Sequence, residues 1–228
     1  SRNHWHLALL QRWVGENKPG SGVGWDPYPT SLRIVNWVKW SYAGNLLPAT
    51  CVQSLAVQAR FLMKRIEWHI LGNHLFANAK ALIFAGLFFS GNQADQWLHK
   101  GLKIVSDELP KQVLPDGGNF ERSPMYHAIF LEDLLDLLNI AQAFPRLMSD
   151  IHVTHWRDLA RKMLHWLNGM KHPDGEIAFF NDASIGVAPS PAELNAYATR
   201  LDLSAESIQA RATHFADSGY LRLSSRDA

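Results

Sequence analysis

Apolar residues recur every three or four positions along most of this 228-residue chain. That spacing places the side chains on one stripe of an α-helix, and such a stripe has to pack against another element. The clearest stripes run from Val52 to Ile66, from Leu131 to Ala141 and from Trp156 to Met170. Further helices are predicted at 5–13, 30–43, 92–109 and 191–201. About eight helices with short breaks between them predict an all-α fold made of helical hairpins.

One predicted helix, from Leu75 to Phe89, is apolar on nearly every side. A helix of this kind is buried by its neighbours or crosses a membrane. It is only fifteen residues long and contains Asn78 and Lys80, so it is too short and too polar to span a bilayer. We therefore expect a buried core helix and no membrane span.

Charge and cysteine content exclude several classes of function. The chain has 22 Lys and Arg against 21 Asp and Glu, a net charge of +1, which is too small to hold nucleic acid electrostatically. Its single cysteine, Cys51, excludes an internal disulfide framework and a cysteine-rich zinc site. Nine Trp and eleven Phe supply aromatic surface, which fills cores and also lines sugar-binding clefts.

Two long connections interrupt the helical pattern, at 109–123 and at 171–191. The first contains the turn Gly117-Gly118, and the second contains Phe179-Phe180. Loops of this length in a compact domain are commonly functional.

Asn73 lies in the segment Gly72-Asn73-His74, after a helix predicted to end near Leu71 and before the buried helix. Taken alone, the segment is typical of a helix boundary, at which glycine ends one helix and asparagine caps the next.

Tyr126 follows a strong helix-start signal, in which Ser123 is the predicted N-cap and Pro124 the first helical residue. The positive end of the helix dipole and the neighbouring Arg122 both favour a phenolate. They are therefore expected to lower the tyrosine pKa from its usual value of about 10. The alternative, equally weighted on this segment alone, is a packed tyrosine with a hydrogen-bonded hydroxyl.

Asn73 and Tyr126 are more informative together than apart. Alternate helices in a ring of hairpins point the same way, so we expect the two helix starts to face one cleft. An amide and a cation hold a carboxylate and stabilise enolate-like charge next to it, and a tyrosine transfers protons. This set predicts proton abstraction next to a carboxylate, with no metal and no organic cofactor.

Several motifs together resemble one known family. They are Trp25-Asp26-Pro27-Tyr28-Pro29, Ser31-Leu32-Arg33, Gly72-Asn73-His74, Pro115-Asp116-Gly117-Gly118 and the stretch Glu121–His127. From about Trp25 to Asp182 the chain resembles the N-terminal domain of the heparinase II/III superfamily of polysaccharide lyases. The resemblance implies an incomplete (α/α) toroid followed by a β-sandwich domain, with an acidic polysaccharide or oligosaccharide bound between them.

The resemblance also implies roles for individual residues. Asn73 neutralises a uronate carboxylate, and Tyr126 acts as proton donor and base in a β-elimination. Candidate contacts to the substrate or to the tyrosine are His74, Arg122, His127 and Asn181. A further catalytic histidine is expected in a β-sandwich domain that this chain does not contain.

Tyr220 to Leu223 alternates like the opening of a strand that has no partner. We therefore expect residues 1–212 to form the toroid and residues 213–228 to begin the β-sandwich domain of a longer protein. The fragment alone is then expected to be inactive, and the resemblance suggests a periplasmic or secreted location.

Two other functions compete with the lyase. Asp116 and Glu121, or Asp174 and Asp182, are candidates for the paired carboxylates of a glycoside hydrolase, which helical toroids also support. A glycan-binding protein of polysaccharide assembly would keep the fold without turnover.

Overall fold

The computed structural model describes residues 2–145, 148, 150–204 and 210–224. The described chain contains α1 (Arg2–Glu16), α2 (Pro27–Tyr42), α3 (Ala49–Lys64), α4 (Gly72–Phe88), α5 (Asn92–Gln112), α6 (Pro124–Ala143), α7 (Asp150–Gly169), α8 (Pro191–Arg200), β1 (Ala212–Phe215) and β2 (Tyr220–Leu223). The predicted all-α class and its helices are confirmed. Helix α5 continues through Pro110 and ends three residues later than predicted.

The chain divides into two compact units, Ser1–Ser106 and Asp107–Ala228. In the first unit, α2 packs on α4, α3 packs on both, and α1 packs on α3. Every residue of α4 from Leu75 to Leu87 is buried, as its all-round apolar sequence predicts. None of the described helices combines the length and the apolarity that a membrane crossing requires.

Arg33, part of one of the motifs, has a structural position in the first unit. Its guanidinium lies 3.7 Å from the ring centroid of Trp13 and donates to the carbonyl oxygen of Gly24 at 2.7 Å and to Gln58 Oε1 at 2.8 Å. Burial lowers the pKa of Arg33 to about 10. The residue therefore ties α2 to its neighbours instead of facing a ligand.

The second unit is built on α6, which packs against α7 and α8. Strand β2, for which the sequence shows no partner, pairs antiparallel with β1, so that Tyr220 lies opposite Phe215. Phe215 is buried against Trp166 and Met170, which attaches the hairpin to α7 and the residue that follows it. The alternation in 220–223 is therefore that of a hairpin strand with one face on a helical core.

His127 is fully buried in this unit. The backbone N–H of Asn119 donates to its Nδ1 at 3.3 Å, and its Nε2 donates to the carbonyl oxygen of Met163 at 3.0 Å. Its ring lies 4.4 Å from the ring of Trp166. Burial lowers the pKa of His127 to about 3, so the imidazole is neutral at ordinary pH.

A second network joins the 109–123 connection to the hairpin. Asp116 Oδ2 accepts from the backbone N–H of Ser218 at 2.7 Å and from its hydroxyl at 2.8 Å, while Asp116 Oδ1 accepts from the backbone N–H of Gly118 at 3.0 Å. The Ser218 hydroxyl accepts from Trp166 Nε1 at 2.8 Å. These hydrogen bonds fix the turn between β1 and β2 against the 109–123 connection and against Trp166 of α7.

Gly101 lets α5 approach α4 closely, and replacing it tests that packing. A Cβ at this position would lie 2.6 Å from the carbonyl oxygen of Ala79 and 2.7 Å from Cγ1 of Ile83. Because both atoms belong to a buried helix, we expect Gly101→Ala to lower the free energy of unfolding by about 1–3 kcal/mol. Denaturant unfolding measures the change.

Gly15 in the exposed α1 is the matched control, since a Cβ there meets nothing within 4 Å. Gly15→Ala is expected to raise stability by up to about 1 kcal/mol, the helix-propensity difference. Equal effects of the two substitutions would contradict the close approach of α4 and α5.

His127 predicts a loss of stability in acid. Its pKa is about 3 in the folded chain and about 6.5 when unfolded. Between these values the unfolded chain binds one more proton, so stability is complete above about pH 6.5 and falls as the pH drops toward 3. The slope from this residue approaches about 1.4 kcal/mol per pH unit. Urea unfolding at a series of pH values measures it.

His127→Gln keeps a donor for Met163 and removes the titration, so its stability should depend less on pH in this window. The exposed His6 provides the control, and His6→Gln should leave the slope unchanged. A His127→Gln slope equal to that of the unmodified chain would show that the buried imidazole is not the source.

Candidate active site

Asn73 lies in the first turn of α4, in the first unit. Helix α3 ends at Lys64 and not near Leu71 as predicted, and Gly72 opens α4. Leu71 and Gly72 both have positive φ, 62° and 54°, which turns the chain sharply into the helix. Asn73 is therefore the second helical residue, and the interpretation as a cap is wrong. Its half-buried amide makes no hydrogen bond to a described residue of its unit.

His74, the next residue, is held by a buried polar cluster. Its Nδ1 lies 3.2 Å from Glu67 Oε1, and its ring stacks on Tyr28 at 4.4 Å between centroids. Asn78 donates to Glu67 Oε2 at 3.0 Å and to the Ser31 hydroxyl at 3.0 Å, while the backbone N–H of Glu67 donates to Asn78 Oδ1 at 2.9 Å. The sequence has no signal for this role of Glu67, because a carboxylate beyond a helix end is usually solvated.

A groove of about 690 Å³ opens beside this cluster. Its lining includes Asp26, Tyr28, Lys64, Arg65, His69 and His74. Lys64 and Arg65 are exposed, and neither makes an ion pair within the described part of the chain. The groove therefore combines the positive charges of Lys64 and Arg65 with the negative charges of Asp26 and Glu67.

Tyr126 lies in the second unit, at the third position of α6. The predicted helix start is confirmed, because Pro124 opens the helix and the Ser123 hydroxyl accepts from the backbone N–H of Tyr126 at 3.4 Å. Its side chain is half-buried, and the negative charges of Asp182 and Glu121 act on it. The helix start thus presents a phenol in the field of two carboxylates.

The expectation that this tyrosine has a lowered pKa is wrong. Burial raises the pKa of Tyr126, and the negative charges of Asp182 and Glu121 and the hydrogen bond to Asp182 raise it further. These influences disfavour the phenolate more than the dipole and Arg122 favour it. Tyr126 is consequently a protonated phenol at neutral pH.

Arg122 and Asn181 meet beside this helix start. The Asn181 side-chain amide donates to the carbonyl oxygen of Arg122 and to the Tyr220 hydroxyl, both at 3.0 Å. Tyr220 in turn donates to the same Arg122 carbonyl at 2.7 Å. The Arg122 side chain is exposed, whereas the Asn181 amide is used within the protein. A substrate contact through the Asn181 amide, as predicted, would require breaking these bonds.

One predicted contact residue and the predicted hydrolase pair do not have the expected surroundings. His127 is completely buried, with both ring nitrogens bonded to the backbone, so neither nitrogen is available to a substrate in this conformation. The hydrolase pair Asp116 and Glu121 is also poorly supported. Both Asp116 oxygens accept hydrogen bonds from backbone or Ser218, which leaves this carboxylate a structural role.

Metal binding requires several ligands at one point. Across the described ranges, no three His, Cys, Asp or Glu side chains come together in a group able to hold a metal ion.

The chain is similar in sequence to several polysaccharide lyases. The heparin-sulfate lyase of Bacteroides stercoris is 32% identical over 115 residues, covering 50% of this chain and 17% of that protein. The heparin-sulfate lyase of Bacteroides thetaiotaomicron is 29% identical over 195 residues, covering 78% of this chain and 28% of that protein. The chain thus spans less than a third of the length of these relatives.

Solved structures give the fold. The crystal structure of heparinase III matches with a TM-score of 0.62 and 24% identity over 82% of this chain and 29% of that one. A heparinase III gene product matches with a TM-score of 0.68 and 20% identity over 96% of this chain and 40% of that one. The predicted fold class, an incomplete (α/α) toroid, is thereby confirmed.

The sequence profile of the family described as "Heparinase II/III N-terminus" matches residues 44–203, well over half of the chain. The matched region contains both helix starts, with Asn73 in one and Tyr126 in the other. The chain therefore belongs to the heparinase II/III family and carries its N-terminal domain.

Proposed function

We propose that this chain is the helical part of a polysaccharide lyase that cleaves a uronic-acid-containing glycan by β-elimination. Its family and the names of its relatives support lyase chemistry. The observation that carries the proposal is the environment of Tyr126, a half-buried phenol that stands at a helix start and is kept protonated by burial and by the charges of Asp182 and Glu121.

In the proposed reaction, Asn73 neutralises the uronate carboxylate. The proton on C5 becomes acidic enough to remove only if the charge that develops next to the carboxylate is stabilised. The Asn73 amide has hydrogen-bond donors with no partner among the described residues of its unit, so they are available to a ligand. His74, whose Nδ1 is occupied by Glu67, has Nε2 left for the same ligand.

Tyr126 moves the protons. As a protonated phenol it is ready to donate to the glycosidic oxygen when the bond from that oxygen to C4 breaks. To act as base at C5 it must first lose its own proton, and the Asp182 carboxylate, whose negative charge acts on the phenol, is the proposed acceptor. Elimination then leaves a C4–C5 double bond on one fragment and a hydroxyl on the other, with no water consumed.

The substrate is an acidic glycan. Lys64, Arg65 and His69 line the groove of the first unit and are suited to carboxylate or sulfate groups. The relatives' names make heparin-sulfate the first polymer to test. We further propose that the reaction needs no cofactor held by this segment, that a β-sandwich domain completes the enzyme, and that it acts in the periplasm or outside the cell.

Replacing Tyr126 with phenylalanine tests the proton-transfer role. Because the phenol supplies the proton to the leaving oxygen, Tyr126→Phe is expected to reduce turnover by about 10²–10⁴-fold. The complete gene product is incubated with sulfated and unsulfated uronate polymers. Ultraviolet absorbance of the C4–C5 double bond and total reducing ends are followed together.

Tyr197→Phe is the matched control. Tyr197 is a tyrosine of the same unit that lies near a carboxylate, since its hydroxyl donates to Asp136 at 2.8 Å. This variant should keep the activity of the unmodified protein. Reducing ends that appear without absorbance would indicate a hydrolase, and binding without any new ends would indicate a glycan-binding protein.

Asn73→Asp tests the carboxylate-neutralising role with almost no change in size. The substitution places an acceptor-only, negative group where the substrate carboxylate needs donors, so turnover is expected to fall by about 10²–10³-fold. Turnover is measured in the same absorbance assay.

Asn92→Asp provides the control, because Asn92 is an exposed residue in the first turn of α5 and experiences the same change in helix-dipole interaction. It should retain full activity. Full activity in Asn73→Asp would remove Asn73 from the mechanism.

A further inference from the structure

Three non-glycine residues near Tyr126 have a left-handed backbone. Arg122 has a φ of 58°, Asn181 of 47° and Asp182 of 59°. This conformation costs free energy in residues with a Cβ and persists where surrounding bonds hold it. Asparagine and aspartate tolerate it better than most residues, whereas arginine has no such advantage. Something beyond local preference therefore holds the segment before α6.

The Tyr220 hydroxyl and the Asn181 amide supply that constraint. With the Arg122 carbonyl oxygen they form a closed triangle of hydrogen bonds of 2.7, 3.0 and 3.0 Å. Burial raises the pKa of Tyr220, so its hydroxyl stays protonated and able to donate at neutral pH. The triangle joins three segments that are far apart in sequence, the start of α6, the second long connection and the hairpin.

Tyr220 is itself firmly held. Its ring lies 5.9 Å from the ring of Trp166 and 5.4 Å from that of Phe180. Two residues earlier, Ser218 is bonded to Asp116 and to Trp166. The hairpin thus presents the Tyr220 hydroxyl from a rigid support.

The triangle acts on both partners of the proton transfer. Arg122 immediately precedes the N-cap of α6, on which Tyr126 stands, and Asn181 immediately precedes Asp182. We propose that Tyr220 is a positioning residue, whose hydroxyl, together with Asn181, fixes the backbone beside Tyr126 and Asp182 and so keeps the Asp182 carboxylate near the Tyr126 phenol. The catalytic consequence of this arrangement rests on the function proposed above, but the arrangement itself does not.

Carbon-13 NMR of the phenol carbon tests the arrangement directly. The chain has five tyrosines, so a sample labelled with ¹³Cζ-tyrosine gives five signals, and single Tyr→Phe variants assign them. The Asp182→Asn variant gives the chemical shift of the Tyr126 phenol carbon when the neighbouring carboxylate is absent. In Tyr220→Phe, the Tyr126 signal is expected to move toward that position, and in Tyr197→Phe it should stay in place.

Asn181→Gly is the second variant, because glycine adopts the left-handed backbone without strain and lacks the amide. It should move the Tyr126 signal in the same direction even if Tyr220→Phe folds poorly. An unmoved Tyr126 signal in a folded Tyr220→Phe or Asn181→Gly sample would overturn the proposal.

Steady-state kinetics of the complete gene product measure the effect of this positioning on catalysis. Tyr220→Phe is expected to lower kcat about 10–100-fold, the scale of a misplaced catalytic group, with little change in KM. If the NMR signals move and no uronate polymer is cleaved even by the unmodified protein, the proposed function fails while the positioning role stands. If kcat is unchanged although the signals move, Tyr220 has no catalytic positioning role, and that part of the inference is overturned.

Discussion

The hydrogen bonds accepted by the Arg122 carbonyl oxygen are the constraint on which the second unit depends. They hold an arginine in a left-handed conformation, and this turn directs the chain into Ser123 and α6. An N-cap alone starts a helix but does not determine where its first turn points. The triangle with Asn181 and Tyr220 ties that start to a loop and a hairpin, so the direction of the first turn is set by three segments at once.

Adjacent residues in this turn have opposite surroundings. Tyr126 reaches a half-buried position beside carboxylates, while His127 is directed into the core against Trp166. Successive helical residues point about 100° apart, which is enough to leave one half-exposed and to place the next among buried aromatics. Burial disfavours the charged form of each, raising the pKa of the phenol and lowering that of the imidazole, so both groups are neutral.

Local patterns predicted the helices and their starts, because apolar spacing and a Ser-Pro pair act within a few residues. Ser123-Pro124 and Ser190-Pro191 each open a helix as expected. The assignments that depend on distant chain segments were not predictable. The partner of strand β2 and the contact between Tyr126 and Asp182 are set by tertiary packing and have no nearby sequence signal.

Two of the incorrect predictions at the candidate site have related causes. The arguments from the helix dipole and Arg122 consider only groups close in sequence, whereas the pKa of Tyr126 is raised by burial and by the charge of Asp182, which lies on a distant loop. In the same way, Gly72-Asn73 has the composition of a helix boundary, but after the left-handed Leu71 the helix α4 begins two residues earlier than a cap at Asn73 requires. The types of residue at the candidate site could therefore be predicted from the sequence, whereas the direction of the Tyr126 pKa shift could not.

The proposed elimination consumes no water, and the masses of the products test this directly. A uronate oligosaccharide of defined length is digested by the complete gene product, and both fragments are weighed by mass spectrometry. For an elimination, the two masses are expected to sum to the mass of the substrate, with the unsaturated uronate at the new non-reducing end. Fragments whose summed mass exceeds the substrate by one water would contradict it.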